Sequence, residues 1–450
     1  VKPMPLELRP HQVESLTFYI TNKNCLDRSE PATGKTAPSC VMCKYVNDYE
    51  NGNTIFVMPK SLLIKNQEEL SNWTGLKSLI YRGQPTLTKW KGETYDVILT
   101  TADTLSRHYE HIRKMLTKPL GFLLADETHL YWSSAKAKRT QFILHLCRKI
   151  PRNLWLTGTV IRGRLDSAYP VIQMIEPRYY GNHASFMNQH AVRDALTGET
   201  IGWCNEAKIE AILKIHSVNH LFRTVYGDPD YVYLPTHVEI NEKHWKYYHE
   251  FEQFANLELD DESVLYATEA GVQTLRCRQI LANPEVLGLK IPEYGKDEWI
   301  FENLLNGDYN KVVLFSALQG EQVRLVEKIK AKGFKVGLIN GTVSTDKRGQ
   351  IDKDFRDGDL QVIVASPATA GVGLNWHNCE VAAFVSVDYM DDNMTQATFR
   401  FIRGKRNKTI PIYLLRYQNT IEDKIYGIIQ KKSELAARAD SSRKPLKGLF

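Results

Sequence analysis

The sequence SEPATGKT occupies residues 29–36, just ahead of residues 38–49, which favour a helix. A loop of this kind turns backbone N–H groups inward to hold phosphate oxygens at a helix N-terminus. Lys35 would place a charge at the β- and γ-phosphates, and the Thr36 hydroxyl would complete the shell of a Mg²⁺ ion. The usual pattern has glycine where this chain has Ser29, whose small side chain still permits a tight turn. Residues 29–36 alone leave two interpretations open, a phosphate loop or a chance turn before a helix.

Residues 8–12, with the sequence LRPHQ, precede an amphipathic segment at 13–20. The Gln12 amide offers one donor and one acceptor, which fits the edge of an adenine base. A surface position in the first turn of a helix explains Gln12 equally well, so both interpretations stay open.

An acidic pair, Asp126-Glu127, follows the apolar run 121–125 and precedes Thr128-His129. Asp126 would hold Mg²⁺ directly or through water, and Glu127 would orient and deprotonate an attacking water. The alternative is a pair of solvated loop carboxylates. The position of the pair, 91 residues beyond Lys35 and at the end of an apolar strand, favours a catalytic role and supports the phosphate loop.

Short apolar runs alternate with segments of helical character through the first half of the chain. The predicted strands are residues 54–59, 96–101, 121–125 and 153–156, and the predicted helices are 66–72, 103–116 and 135–149. Such alternation predicts a doubly wound parallel sheet, in which ligands bind at the carboxyl ends of the strands. The acidic pair and the Thr157-Gly158-Thr159 sequence both fall at that end.

Composition sets broad limits on the protein class. The 450 residues predict two or three domains, and no apolar run approaches the ~20 residues needed to span a bilayer. The N-terminal residues lack the apolar stretch of a secretion signal, and seven scattered cysteines favour a reducing, cytoplasmic compartment. Cys40 and Cys43 have no second pair to complete a zinc site, so we expect them in the core.

The net charge of +6 is unevenly distributed. Residues 400–450 contain 13 lysines or arginines against four aspartates or glutamates. This basic segment indicates a polyanionic partner, although a solvated helix face would have the same composition.

Taken together, these motifs resemble superfamily 2 helicases and translocases, specifically the Snf2-like group. The segments that carry the resemblance are, in order, residues 8–12, 29–36, 57–62, 99–105, 126–129, 156–159, 339–342 with Arg348, 371–375, and 396–403. Two departures stand out. Ser29 replaces a glycine, and the last segment has Ile402 and Lys405-Arg406 where the family has histidine and a Gly-Gln ending. Both arginines of that last segment are kept, so the departures bear on the subfamily rather than on ATP hydrolysis.

The resemblance implies a role for each matching residue. ATP binding is implied for Gln12, Thr33, Gly34, Lys35, Thr36, Gly371 and Gly373. Catalysis is implied for Lys35, Asp126, Glu127, Arg400 and Arg403, and Mg²⁺ binding for Thr36 and Asp126. Coupling between nucleotide and nucleic acid is implied for His129, Thr157, Thr159 and Gln396. Nucleic-acid binding is implied for Lys60, Thr101, Thr342, Arg348 and Thr369.

The second half of the chain predicts another parallel sheet, without a phosphate loop of its own. Its predicted strands are residues 311–316, 334–339, 361–365, 380–385 and 410–415, with Pro411 suggesting an edge position. Strand 232–240 would lead into this lobe, and the predicted helices nearby are 207–222, 244–265 and 270–282. Arg276 and Arg278 on the last helix would line a nucleic-acid channel or lie in solvent while the helix packs on the core.

We therefore expect an α/β protein of two RecA-like, doubly wound parallel-sheet lobes in tandem, with a nucleotide cleft between them. Residues 1–225 would form lobe 1, and residues 226–450 would form lobe 2 with a helical insertion at about 241–300 and the basic C-terminal segment. Arg400 and Arg403 would act as arginine fingers on the γ-phosphate, the alternative being a basic helix.

The expected function is an ATP- and Mg²⁺-dependent DNA helicase or translocase. It would hold forked, branched or duplex DNA mainly through phosphates, with no membrane partner. The chain looks like compact stand-alone phage or bacterial helicases that unwind forks or migrate branched DNA. The alternatives are an RNA-stimulated ATPase and a nucleic-acid clamp that binds ATP with little turnover.

Overall fold

The computed structural model describes residues 7–228, 230–259, 264–370, 373–402, 408–440, 446 and 448–449. The chain divides into two compact units. The first unit is Val1–Asp228 with Lys432–Pro445, and the second unit is Pro229–Lys431 with Leu446–Phe450.

The first unit is built around a parallel sheet. Its strands are β1 (Asn24–Asp27), β2 (Asn53–Val57), β3 (Ser78–Ile80), β4 (Val97–Thr100), β5 (Leu120–Asp126), β6 (Arg152–Leu156), β7 (Ala191–Arg193), β8 (Thr200–Trp203) and β9 (Ser217–Val218). Its helices are α1 (Pro10–Thr21), α2 (Thr36–Tyr49), α3 (Leu63–Thr74), α4 (Gln84–Lys89), α5 (Ala102–Lys114), α6 (Lys138–Cys147), α7 (Tyr169–Ile175), α8 (His183–His190), α9 (Glu206–His216) and α10 (Phe222–Tyr226). Seven strands pair in the order β3-β4-β2-β5-β6-β1-β9, and β7 and β8 form a separate antiparallel hairpin.

The middle strands of this sheet are buried on both faces, which explains why they read as continuous apolar runs. Ile55, Leu99 and Leu124, one on each of three adjacent strands, are fully buried. Register then fixes the carboxyl edge of the sheet. Leu156 on β6 pairs with Asp27 on one side and with Asp126 on the other, so three strands end side by side.

The second unit contains a second parallel sheet. Its strands are β10 (Tyr231–Val238), β11 (Asn256–Glu258), β12 (Val264–Tyr266), β13 (Val312–Phe315), β14 (Val336–Ile339), β15 (Val362–Ala365), β16 (Val381–Phe384) and β17 (Ile410–Tyr417). Its helices are α11 (Glu242–Phe254), α12 (Ala270–Ala282), α13 (Gly295–Asn303), α14 (Gln319–Ala331), α15 (Thr345–Asp357), α16 (Pro367–Ala370) and α17 (Asp391–Thr398). Six strands pair in the order β10-β17-β16-β13-β15-β14. The prediction of two parallel α/β lobes is confirmed.

The last helix, α18 (Ile421–Ala439), begins in the second unit and ends in residues grouped with the first. Just beyond it, Asp440 forms a buried ion pair with Arg28, which also bonds to Glu210 and Ser217 of the first unit. The last turns of α18, with Ala436 and Ala439, therefore contribute to the core of the first unit.

Three predictions about local structure are wrong. Pro411 lies on an interior strand, because β17 pairs with both β10 and β16. The N–H of Ile410 points to β10, so the missing donor of Pro411 faces β16, whose ladder begins only at Ile412.

The predicted helices 207–222 and 244–265 both end early. The first stops at His216, because Ser217 and Val218 pair with β1 instead. The second stops at Phe254, where Ala255 adopts a left-handed conformation and the chain turns into the β11–β12 hairpin.

The α12 helix has the predicted bounds, and its arginines are half-buried rather than in solvent, while a role in a nucleic-acid channel stays a prediction. Arg278 donates to the Val387 carbonyl oxygen at 2.9 Å and stacks on Tyr389, so it joins α12 to its own unit. Arg276 bonds to Gln279 on the same helix.

Two further predictions concern the packing of the cysteines and the absence of a membrane-spanning segment. All seven cysteines are free, and Cys40 and Cys43 are fully buried in α2, as core packing predicts. Within the described residues, every helix is too short or too polar to cross a bilayer.

Candidate functional site

The predicted phosphate loop joins β1 to α2 at the carboxyl edge of the first sheet. Ala32 and Gly34 both adopt positive φ, 65° and 88°, which bends the backbone back on itself. A Cβ atom at Gly34 would lie 2.7 Å from Gln12 Nε2 and would displace that amide, and the positive φ favours glycine there. Lys35 is the residue immediately before α2, and Thr36 is the first residue of the helix.

The Lys35 ammonium group folds over its own loop. Its Nζ donates to the carbonyl oxygens of Ser29 at 2.6 Å and of Glu30 at 3.2 Å. Thr33 Oγ1 donates to the same Glu30 carbonyl at 2.7 Å. These bonds satisfy the cation, and a phosphate would compete for it with two neutral carbonyl oxygens.

Gln12 is buried against this loop in the first turn of α1. Its Oε1 accepts from the Arg9 N–H at 2.8 Å, and its Nε2 donates to the Gly34 carbonyl at 3.0 Å. A first-turn position is correct, but a surface position is wrong, because the side chain is 8% exposed. Contact with adenine stays a prediction.

Three further bonds tie the loop to residues 220–222, which the sequence analysis missed. Ser29 Oγ accepts from the His220 N–H at 2.9 Å, and the Glu30 carboxylate accepts from the Phe222 N–H at 2.5 Å. The Glu30 N–H donates to the His220 carbonyl at 3.0 Å. The partners are almost 200 residues apart in sequence, so no local pattern could have revealed them.

The acidic pair lies at the end of β5, which is separated from β1 by β6. The Glu127 N–H donates to Asp126 Oδ1 at 2.9 Å, and Glu127 itself adopts φ 50°. Burial raises the pKa of Asp126, against the opposing effects of the Lys35 charge and the Glu127 N–H. A left-handed glutamate is strained, and such strain is typical of functional sites.

A short relay joins this pair to β6. His129 Nδ1 lies 3.5 Å from the Glu127 carboxylate and 2.8 Å from Thr157 Oγ1. Because Thr157 Oγ1 donates its only proton to the Thr159 carbonyl, His129 Nδ1 must carry the hydrogen of the shared bond. The three predicted coupling residues of the first unit therefore lie in one chain of contacts.

Gly158 brings the relay against the phosphate loop. A Cβ atom there would lie 3.1 Å from Pro31 Cδ and 3.5 Å from the Ser29 carbonyl oxygen. The loop, the acidic pair and the relay thus occupy adjoining strand ends of one sheet, in the order β5-β6-β1.

The donor set here fits a magnesium ion. Mg²⁺ prefers oxygen ligands, commonly one or two protein groups, with the remaining positions filled by substrate phosphates and water. Asp126 and Thr36 supply a carboxylate and a hydroxyl, and burial alone disfavours the charged carboxylate that a cation would stabilise. Among the described residues no group of three or more His, Cys, Asp or Glu side chains forms a fuller metal cage.

Two predicted nucleic-acid residues lie farther along the same edge. Lys60 is exposed in the 3₁₀ turn that follows β2, and Thr101 caps α5 directly after β4. Since β2 and β4 are adjacent, the edge divides into a nucleotide half and a second half bearing these two residues.

The second unit repeats this placement on its own sheet. Thr342 follows β14 and donates from Oγ1 to Asn340 Oδ1 at 2.7 Å. Arg348 on α15 donates to the Gly341 carbonyl at 3.3 Å, and burial lowers its pKa. Thr369 follows β15, the strand adjacent to β14.

The remaining predicted residues of the second unit lie in and around α17. Gln396 is buried within that helix, and Arg400 follows it, buried, with Nη1 donating to the Leu374 carbonyl at 3.4 Å. Gly373 has φ 82° and lies just before Leu374. Gly371 and Arg403 lie outside the described residues.

Comparison with known proteins identifies both halves of the chain. The family model of the SNF2-related domain matches residues 11–285, and that of the helicase conserved C-terminal domain matches residues 295–405.

Curated relatives match almost the whole chain at low identity. An uncharacterized ATP-dependent helicase of Mycoplasma pneumoniae is 23% identical over 91% of this chain and 39% of its own length. A DNA annealing helicase and endonuclease of Bos taurus is 21% identical over 97% of this chain and 41% of its own. The chain spans 27% to 58% of the length of five curated relatives that it matches.

Among solved structures, the Sulfolobus solfataricus SWI2/SNF2 ATPase core in complex with dsDNA is 20% identical. The match covers 94% of this chain and 91% of that one, with a TM-score of 0.45.

Proposed function

Because the chain belongs to the SNF2-related family, we propose that it is an ATP-driven DNA translocase that unwinds forks or migrates branched DNA. One observation carries the proposal. The Lys35 loop, the Asp126-Glu127 pair and the His129–Thr157 relay adjoin at three neighbouring strand ends. Together these groups can bind a nucleotide, activate a water molecule and couple the presence of the nucleotide to the conformation of other residues in the unit.

Each of these side chains would have a different role in hydrolysis. Mg²⁺ bound by Asp126 and Thr36 would neutralise charge on the phosphates. Lys35 would exchange its two loop carbonyls for phosphate oxygens, and Glu127 would accept a proton from the attacking water. His129 contacts both Glu127 and Thr157, so a change at Glu127 on loss of the γ-phosphate would alter the bond between His129 and Thr157.

One feature favours a nucleic-acid backbone as the track, and the names of two relatives favour DNA. Predicted phosphate-binding residues stand at adjacent strand ends in each sheet, which suits contact with a repeating backbone independent of base sequence. The Bos taurus relative is named a DNA annealing helicase, and a Schizosaccharomyces pombe relative is named a DNA repair protein.

The deciding experiment compares steady-state ATPase rates without nucleic acid and with duplex DNA, single-stranded DNA, forked DNA and RNA. We expect forked DNA to stimulate turnover most. Glu127→Gln is the control, because it should bind ATP yet fail to hydrolyse it under every condition.

Each other pattern contradicts the proposal. Strongest stimulation by RNA would indicate an RNA-dependent ATPase. Tight ATP binding with negligible turnover on every nucleic acid would indicate a clamp, for which the Lys35 bonds to its own loop would be the structural reason.

A further inference from the structure

The backbone of Glu127, the proposed general base, is left-handed, with φ 50° and ψ 44°. Positive φ is uncommon for a residue with a long side chain, and it persists only where neighbouring bonds hold it in place. The bond from the Glu127 N–H to Asp126 Oδ1 holds one atom of this backbone. A single bond of this kind leaves the next peptide group free to rotate, so other groups must fix the conformation.

The side chain of Tyr131 folds back onto this backbone. Its hydroxyl donates to the carbonyl oxygen of Asp126, which belongs to the peptide group just before Glu127. Burial, together with the charges of Asp126 and Glu127, raises the pKa of Tyr131 well above its ordinary value, so the hydroxyl keeps its proton and acts as the donor. This peptide group is therefore held at its carbonyl oxygen by Tyr131 and at its N–H by the Asp126 carboxylate.

The peptide group on the other side of Glu127 is held by the main chain. The Glu127 carbonyl oxygen accepts from the Leu130 N–H at 3.0 Å, next to the 3₁₀ turn Thr128–Leu130. The orientations of the two flanking peptide groups determine φ and ψ of Glu127 and hence the direction of its side chain. The Tyr131 hydroxyl is thus one of the few groups that fix the direction of the general base.

The Tyr131 ring is itself held in the core of the first unit. It packs edge-on against the Trp132 ring at a centroid distance of 4.8 Å, and Trp132 lies at the same distance from Trp155 on β6. All three rings are buried. Close packing leaves such a ring little freedom, so the hydroxyl is presented in one position. Phenylalanine would fill the same space, so packing alone does not explain the hydroxyl.

The fixed backbone determines where the Glu127 carboxylate lies. It is 3.5 Å from His129 Nδ1, at the start of the relay to Thr157. Rotation of the peptide group before Glu127 would relieve the strain and redirect this carboxylate. A general base must lie within hydrogen-bond reach of the proton that it accepts, so redirection would slow hydrolysis while the groups expected to bind the nucleotide stay in place.

We propose that Tyr131 is a positioning residue for hydrolysis, whose hydroxyl holds the Glu127 carboxylate in the orientation that accepts a proton from the attacking water. The proposal rests on the function proposed above and deepens it, because it assigns the geometry of the general base to a residue outside the acidic pair. Tyr131 acts through Glu127 rather than on the nucleotide.

The test uses Tyr131→Phe in the full chain, because this variant removes the hydroxyl and keeps the ring. ATP hydrolysis at saturating DNA should show kcat lowered ~10-fold, since the base is no longer held in place. The KM for ATP, and the affinity for methylanthraniloyl-labelled ATP with Mg²⁺, should stay within about twofold of wild type.

Tyr180→Phe is the matched control. Tyr180 is buried in the same core, and its hydroxyl donates to His190 Nε2 at 2.6 Å, because His190 Nδ1 carries the hydrogen of the 3.0 Å bond to the Cys204 carbonyl. Both variants lose one buried hydrogen bond, so their urea unfolding midpoints should fall to a similar extent. Only Tyr131→Phe should lower kcat.

A kcat for Tyr131→Phe within about twofold of wild type overturns the proposal. So does a higher KM with kcat unchanged, which would place the hydroxyl in nucleotide binding. An equal loss of kcat in Tyr180→Phe, or a much lower urea midpoint for Tyr131→Phe than for Tyr180→Phe, would show a structural role and also overturns it. These results leave the translocase function intact. A wild-type chain whose ATPase no DNA stimulates contradicts the proposed function itself and removes the positioning role with it.

Discussion

The carboxyl edges of the two large sheets carry nearly all the candidate residues, yet they are built differently. The first edge contains Ala32 and Glu127 in left-handed conformations and a buried carboxylate, Asp126. The second edge presents Thr342 in a turn and Thr369 in the short helix α16, with Arg400 buried against the Leu374 carbonyl.

The difference teaches what each edge is suited to bind. Strained backbone and a buried acid persist only where surrounding bonds over-determine them, and they suit one small ligand held in one geometry. Unstrained hydroxyls and the half-buried Arg348 suit the repeated phosphates of a long chain, which no single geometry fits. The following predictions separate the two edges, from the largest expected effect to the smallest.

Lys35→Ala should lower kcat for DNA-stimulated ATP hydrolysis by at least ~10³-fold, because it removes charge at the transferred phosphate. The fold should survive, since Lys35 is only half-buried and its deletion leaves no core cavity. Lys44→Ala is the matched control on the same helix, and its exposed ion pair with Asp48 should be dispensable. Retention of more than a few per cent of activity by Lys35→Ala would contradict the phosphate loop.

Arg400→Ala should lower kcat by at least ~10²-fold while leaving ATP binding nearly unchanged. The reason is that most of the groups expected to hold the nucleotide in the ground state belong to the first unit. The control is Lys335→Ala, an exposed basic residue that precedes β14 at the amino edge of the second sheet. Arg403→Ala should behave like Arg400→Ala.

A basic-helix role for these arginines gives the reverse pattern. DNA affinity would then fall, and kcat at saturating DNA would stay the same. Measuring nucleotide-free DNA binding beside the ATPase rate separates the two outcomes.

His244 should make the second unit sensitive to acid. Burial lowers the pKa of His244 to about 4, its Nε2 bonds to the Ile280 carbonyl at 2.7 Å, and Lys296 and Arg324 add repulsion. The unfolded chain takes up this proton near pH 6.5 and the folded chain does not, so stability is lost as pH falls from 6.5 towards 4. The loss from this residue should reach about 2 kcal/mol in the free energy of unfolding at pH 5.

Urea unfolding at pH 7.5 and pH 5 measures this effect. His244→Gln should keep the bond to Ile280 and lose about 2 kcal/mol less on acidification than wild type. His249→Gln, an exposed position on the same helix, should follow wild type. Identical acid sensitivity of the two variants would show that His244 is not the titrating group.

The smallest expected effect is on DNA affinity, through the residues at the carboxyl edges of the two sheets that are predicted to contact nucleic acid. DNA affinity should fall steeply with salt, by a log–log slope of about −0.7 to −0.9 for each phosphate contact. Lys60→Ala and Arg348→Ala should each reduce that slope by about one contact and weaken binding only several-fold. Lys335→Ala is the control and should leave the slope unchanged. An unchanged slope for Lys60→Ala or Arg348→Ala would show that the replaced residue makes no phosphate contact.

Much of the architecture could be predicted because buried parallel strands leave a plain sequence signal. Residues 97–100 and 362–365 are largely apolar runs between polar segments, and each forms a strand with a neighbour on both sides. The position of the functional residues at the carboxyl edge could also be predicted, because these residues come immediately after such runs in the sequence.

The errors arose where distant residues decided the conformation. Apolar spacing continues past Phe254 to Leu257 and Leu265, yet these leucines face the core from a hairpin rather than a helix. Ser217 joins the edge of β1, and Ser29 and Glu30 depend on His220 and Phe222. None of these partners is a neighbour in sequence, so periodicity could not identify them.

The ion pair between Arg28 and Asp440 also has a consequence for how the protein is made. Its two residues are separated by 412 positions, with the whole second sheet between them in the chain. During synthesis the first unit emerges early but lacks this buried partner until the last helix has left the ribosome. We expect the nascent first unit to remain incompletely packed through most of translation, and contacts of such high sequence separation form slowly. Chaperone binding to ribosome-bound chains ending before residue 432, and its release from longer ones, would reveal that delay.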